Sequence, residues 1–268
     1  MFHPNPDESK SPGPDRTPPS FDYTAIPVGY YDEIMRKGHP VRRAWHLQKF
    51  ERVLDLLPTQ QGGSILDIGC FAGTFLSLVE PTRFQKQLGV DILPAQVDFA
   101  NAHFGTDYRQ FKAVGSVAEL NRLDELYDVI TLIEVIEHLT HEEIALLMDQ
   151  GSALLKPGGK LILSTPNYLS LWPLLEVIVN LCSDISYLDQ HLTRLTFWNA
   201  PSKLAQIYPP LRQKFRLECK TTTHFVSPFL APLVSVSGAM KVSRLLKHHY
   251  WPFPFGCLIL LVFERTAC

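Results

Sequence analysis

Ile65-Leu66-Asp67-Ile68-Gly69-Cys70-Phe71-Ala72-Gly73-Thr74-Phe75 is the stretch from which the fold is read. Ser64 to Gly69 has the apolar run of a short buried strand, and it empties into a turn with glycines at 69 and 73, followed by a helix. A glycine at 69 lets the backbone pass close to a ligand without a Cβ in the way. A glycine at 73 permits close helix–strand packing. In parallel sheets the binding crevice forms at the carboxyl ends of the strands. The spacing here is G-x-x-x-G, not the G-x-G-x-x-G of dinucleotide binders. Taken alone, the pair is equally a tight strand–helix turn with no ligand.

Outward from this stretch the chain alternates. An apolar face of Leu47, Phe50, Leu54 and Leu57 predicts a helix over 42–57, stopped by Pro58 and Gly62-Gly63. Gln87 to Ile92 reads as a second strand, and Pro94 opens a helix at a position where its missing N–H has no partner to lose. Strands are expected at 109–114, 127–133 and 160–164. Between the last two, Thr140 and Glu143 form a capping box, with Leu139 and Ile144 as hydrophobic staple. Lys156-Pro157-Gly158-Gly159 reads as a breaker and turn. Two late strands, 215–223 and 257–264, flank a loop and a helix. Strands alternating with helices imply a parallel sheet covered on both faces. The expected class is α/β, with about seven strands.

Residues 1–20 hold six prolines and one aromatic residue, too little apolar surface to offset ordering entropy, and are expected to be disordered. Residues 21–268 are expected to form a single domain. With 25 basic and 27 acidic residues, the chain has no charge excess for a nucleic-acid partner. Five scattered cysteines without a C-x-x-C pair read as reduced thiols. No secretory signal opens the sequence, and Cys268 does not stand in a C-a-a-X box. The apolar stretch from Leu169 to Cys182 is broken by Pro173, Glu176 and Asn180, which reads as too short and polar to span a bilayer. The default location is the cytoplasm.

Three further features add chemistry to the turn. Asp91 ends the second strand, where an acid can accept from both hydroxyls of a ribose; it reads equally as a helix N-cap before Pro94. Asp128-Val-Ile-Thr-Leu-Ile-Glu134-Val-Ile-Glu137-His138-Leu139 places two acids and a histidine beyond the fourth strand. Leu155-Lys-Pro-Gly-Gly-Lys-Leu-Ile-Leu-Ser-Thr-Pro-Asn167 follows one helix later.

In this order, from about residue 39 to residue 167, these motifs resemble the class I S-adenosylmethionine-dependent methyltransferases. Within them, Tyr127 to Leu139 and His39-Pro40-Val41-Arg42 look like the ubiquinone-biosynthesis O-methyltransferase group. The resemblance implies a Rossmann-like methyltransferase fold, S-adenosylmethionine as cofactor, and transfer of its methyl group to a small-molecule or lipid-like acceptor, with O-methylation expected. The implied cofactor-binding set is Arg42, Asp67, Gly69, Cys70, Phe71, Gly73, Asp91, Ile92, Ser116, Val117, Ile133 and Glu134. The Gly69 loop would lie under the methionine portion, Asp91 would bind the ribose, Ser116 and Val117 would flank the adenine, and Ile133 would meet the cofactor. Arg42 would pair with the methionine carboxylate, with Arg43 as its rival. Two positions depart from the family: Phe71 stands where glycine is frequent, and Ser116 where aspartate is. They motivate an alternative, a catalytically degenerate cofactor-binding scaffold. An NAD oxidoreductase on a similar sheet lacks the glycine spacing.

His138 and then His191 are the candidate general bases, imidazole being suited to proton transfer near neutrality. His138 could equally brace the helix start. Glu134 and Glu137 are ligands for a metal, an amine or the cofactor amino group, or else acids at a helix entry. His138 and His141 have no further ligand cluster in sequence, so no metal is assigned. Residues 166–200 are expected to cap the acceptor side. Their apolar run, 168–182, reads either as a core helix or as a lid touching a hydrophobic acceptor or a membrane surface. His248-His249 is expected at the surface, and the run Tyr250 to Phe255 could extend that surface. Oligomeric state is not readable.

Overall fold

The computed structural model describes residues 23–181, 191–223, 227–247 and 254–266. The expected tail at 1–20, His248-His249 and most of the 250–255 run lie outside the described residues. Two N-terminal helices, α1 (Tyr30–Lys37) and α2 (Pro40–Leu56), precede the alternation: β1 (Gly63–Ile68), α3 (Thr74–Ser77), β2 (Phe84–Asp91), α4 (Pro94–Phe104), β3 (Arg109–Ala113), β4 (Tyr127–Ile133), α5 (His141–Leu154) and β5 (Leu155–Pro166). Then come α6 (Trp172–Leu181), α7 (Ala200–Ile207), α8 (Leu211–Lys214), β6 (Phe215–Thr223), α9 (Ser227–Lys247) and β7 (Leu258–Arg265).

The seven strands form one sheet in the order β3-β2-β1-β4-β5-β7-β6. β1 to β5 are mutually parallel, whereas β7 runs antiparallel to both neighbours. The order runs outward from β1 in one direction and from β4 in the other. The switch point therefore lies between β1 and β4, where such sheets open a crevice at the strands' carboxyl ends. β1 shows why both faces must be covered. Leu66 packs with Ile130, Ile144 and Leu147 on the side of α5, and its neighbour Ile65 with Phe50, Val53, Phe75 and Val97 on the side of α2 and α4. Each such aliphatic side chain, fully buried, contributes about 1.5–3 kcal/mol.

The capping box forms: Thr140 Oγ1 accepts from Glu143 N at 3.2 Å, and Thr140 N donates to Glu143 at 2.9 Å. Asp91 is not a helix cap. It lies within β2, and the cap of α4 is Leu93, with no side-chain bond. β5 starts at Leu155 rather than Lys160, because the Lys156–Gly159 segment is taken into the strand as an irregularity: Tyr127 pairs with Leu155 but Val129 already pairs with Lys160. Among the described side chains of α6, Leu174 and Val177 are exposed by 60 and 43% while the helix's one acid, Glu176, is buried at 2%; Leu171, just before the helix, is 57% exposed.

One apolar element was not singled out from sequence. Ser227–Leu246 in α9 is long and apolar enough to cross a membrane by length and composition, with 17% of its window buried. Its backbone breaks at Ser235 (φ 70°), after Pro232, into two arms. Both arms return to α2, where Ala44 packs with Ala231 and Ala239, Ser227 bonds Gln48, and Arg244 pairs with Glu51. That bend and those contacts hold it against the domain.

Candidate functional site

At the switch point the chain turns through three left-handed residues: Gly69 (φ 78°), Phe71 (φ 48°) and Gly73 (φ 75°). Two backbone donors, Gly69 N and Cys70 N, share the Val90 carbonyl at 2.8 and 3.0 Å and draw the turn against β2. A Cβ on Gly69 would sit 2.5 Å from Val135 Cγ2, and one on Gly73 2.7 Å from the Phe111 ring. Gly73 thus serves the helix–sheet packing expected of it, and Gly69 makes room for Val135. Phe71 itself takes a left-handed backbone, its ring resting on Tyr31 at 5.0 Å.

Asp91 stands behind this turn, 7% exposed. Its Oδ2 accepts from Phe71 N at 2.7 Å and its Oδ1 from Leu93 N at 3.0 Å. Burial pushes its carboxyl up, and those backbone donors pull it partly back. Each carboxylate oxygen accepts more than one hydrogen bond, so Asp91 keeps capacity for hydroxyls. Asp67, inside β1 and 2% exposed, accepts from Thr131 Oγ1 at 2.6 Å; burial lifts it to about 7. Cys70 is buried and its thiol is raised by that burial. Ile92 is 52% exposed beyond β2. Ser116 is exposed and Val117 half-buried at the start of the turn after β3, while Ile133 ends β4 half-buried.

Arg42 lies on α2 and reaches the Tyr30 hydroxyl at 3.2 Å, over the same ring; Arg43 donates to the Met35 carbonyl. Both are thus engaged by α1. Glu134, left-handed at φ 55°, forms an ion pair with buried Lys49 of α2. Lys49 was missed from sequence, although its place beside Phe50 and one turn from Val53 puts a cation on the face that packs inward.

Beyond β4 a second group assembles. Sequence spacing offers His138 only His141 as a companion; the fold gives it His191 and Glu137 instead, with donor atoms all within 4.8 Å of one another. Backbone bonds make this possible: Leu192 N and Thr193 N donate to the Glu137 carbonyl at 2.7 and 3.0 Å, and Thr193 Oγ1 to the Leu139 carbonyl. Tyr23 sits edge-on to the His138 ring. Glu137 is 1% exposed, and among the described residues its two carboxylate oxygens and the Thr165 hydroxyl complete no hydrogen bond. Burial, then the charge of Glu134, pushes Glu137 well above the ordinary carboxylate range. A buried carboxylate with open lone pairs beside two imidazoles is a donor set suited to a divalent cation or to proton transfer.

A family model described as a methyltransferase domain matches residues 40–212. The chain belongs to that methyltransferase family. Among curated proteins, a ubiquinone biosynthesis O-methyltransferase of Nitrobacter winogradskyi is 37% identical over 127 residues, 45% of each chain. Another, of Rhodopseudomonas palustris, is 31% identical over 182 residues, 60% of this chain and 67% of that protein. The chain thus spans about half the length of the first of these relatives. A solved SAM-dependent methyltransferase from Archaeoglobus fulgidus superposes with a TM-score of 0.58 at 18% identity, covering 91% of this chain and all (100%) of that one. The chain therefore has the Rossmann-like fold its strand order indicates, with β7 inserted antiparallel between β5 and β6.

Proposed function

We propose that this chain transfers the methyl group of S-adenosylmethionine to an oxygen of a small or lipid-like acceptor. The supporting observation is the left-handed turn at 69–73, set at the switch point of the sheet with the Asp91 carboxylate behind it. The turn meets what the cofactor needs: a backbone close-packed without side chains at 69 and 73, and an acid able to accept from vicinal hydroxyls. In this reading Gly69, Cys70 and Phe71 pass under the methionine portion, with Asp67 and Gly73 shaping the turn beneath. Asp91 holds the ribose, Ile92, Ser116 and Val117 enclose the adenine, and Ile133 and Glu134 face the sulfonium, with Arg42 on the carboxylate side.

The cofactor supplies an already activated methyl group. The chain's task is to align an acceptor oxygen with it, which alone can contribute on the order of 7–11 kcal/mol, to exclude water and to take up a proton. His138 and His191 are the candidate bases. Alternatively Glu137, His138 and His191 would together hold a divalent cation, which would then take the place of an imidazole base by lowering the acceptor hydroxyl's pKa. Residues 166–200 form the acceptor-side cap of a single domain. Outward Leu171 just before α6, with Leu174 and Val177 on it, favours a cytoplasmic protein that works at a membrane surface on an apolar acceptor. No observation favours the degenerate scaffold.

Calorimetry with S-adenosylhomocysteine tests the first step. A hydrogen bond to a charged group contributes about 1.5–3 kcal/mol, so Asp91→Ala should weaken binding at least about tenfold. Unchanged affinity would refute the ribose assignment, and no binding to the native chain would refute the function.

A further inference from the structure

Glu176 belongs to α6, whose neighbouring Leu174 and Val177 face solvent, yet its side chain is turned inward and 2% exposed. Its Oε1 lies 2.7 Å from His191 Nδ1 and 3.1 Å from the Tyr168 hydroxyl, which itself lies 2.6 Å from the same Nδ1. A carboxylate only accepts. Burial, followed by the charge of Glu176, keeps the Tyr168 phenol protonated, so it donates to Glu176. An Nδ1 without hydrogen would set its lone pair against a carboxylate oxygen. The hydrogen therefore sits on Nδ1, and in the neutral ring the lone pair is on Nε2. The ring is held from other sides as well: Trp172 lies 6.1 Å away at 31°, and the next two backbone amides are bonded to Glu137.

We propose that Glu176 is a positioning residue that fixes the His191 ring with its hydrogen on Nδ1 and so presents Nε2 as an electron-pair donor to the space shared with Glu137 and His138. This ties that donor to α6, the helix carrying outward Leu174 and Val177. The reasoning is that of a carboxylate behind a ligand histidine, which sets tautomer, orientation and basicity. It deepens the reading of the Glu137–His138–His191 group given above and rests on it only for the second of two readouts.

The first readout is histidine nitrogen NMR of the full isotope-labelled chain at about pH 8, above the ordinary histidine range, with the His191 signal assigned by its loss in His191→Asn. The native ring should carry hydrogen on Nδ1. Glu176→Leu should move it toward Nε2, and Glu176→Gln, which keeps an acceptor oxygen, should retain most of the native population. The second readout is manganese(II) titration, where Glu176→Leu should weaken binding about 10–100-fold and Glu176→Gln less, with S-adenosylhomocysteine affinity unchanged in both. A native ring protonated on Nε2, or a tautomer unmoved in Glu176→Leu of native circular dichroism, overturns the proposal. Should Glu176→Leu not fold, the native tautomer and Glu176→Gln decide it. If manganese fails to bind while the tautomer shifts as expected, the cation reading falls and this one stands.

Discussion

Gly69→Ala separates the two demands that the structure places on one residue. At φ 78° an L side chain costs about 1–2 kcal/mol by its clash with the following carbonyl. The new Cβ would also stand 2.5 Å from Val135 Cγ2. Valine is stiff about χ1, so it cannot swing clear as a lysine tip would, and overpacking of this kind costs about 1–3 kcal/mol. The sum is about 2–5 kcal/mol. At about 2–4 °C per kcal/mol for a chain of this size, a middle value of about 3 kcal/mol lowers the melting temperature by about 6–12 °C. Urea unfolding followed by circular dichroism measures it, and a double-mutant cycle divides it. Val135→Ala should restore the packing component in the Gly69→Ala background, giving a coupling of about 1–2 kcal/mol, while the backbone component persists. A loss below about 0.5 kcal/mol, the range of an ordinary surface change, would show that the turn does not need its glycine. Strict additivity of the two substitutions would show that Val135 is not what the side chain meets.

Asp67 makes stability depend on pH in a definite direction. Its folded value, about 7, lies above the ordinary 3.8. Its contribution is therefore fully present below the unfolded value and is lost as pH rises through 7. Asp67→Asn should flatten the fall in urea midpoint across that window, and an unchanged slope would exclude Asp67 as its source. Lys49→Met strips Glu134 of its partner, and breaking a buried pair costs about 3–5 kcal/mol; because the Glu134 side chain is 21% exposed, the lower end is expected, with Glu134→Gln in the same chain recovering most of it. Leu171→Ser with Leu174→Ser should leave the melting temperature in place, both side chains being more than half exposed. The same pair should reduce co-sedimentation with anionic vesicles at least about tenfold, each leucine carrying up to about 1.5–3 kcal/mol of apolar transfer. Equal sedimentation of both proteins would remove the membrane contact.

What the sequence disclosed was local. The capping box at Thr140 and Glu143 and the crook at Gly69 and Gly73 are set by backbone demands within a few residues, and only certain side chains meet them. Asp91 was ambiguous for the same reason: an acid near Pro94 caps a helix or faces a crevice, and only the extent of β2, which reaches Asp91 opposite Ala113 of β3, decides against the cap. The Lys156–Gly159 punctuation was read as ending the helix, which it does. Its absorption into β5 depends on where β4 begins to pair. Longer-range facts left fainter marks. Glu176 interrupts an apolar run, and an acid in such a run is either a break or the one residue turned inward; burial of that acid beside His191 is what distinguishes the two. His191 was read from sequence as a candidate base, but its place beside Glu137 had no mark, because that place is fixed by the amides of Leu192 and Thr193 on the Glu137 carbonyl. Backbone donors are common to every residue but proline, so no side-chain pattern can record such an address.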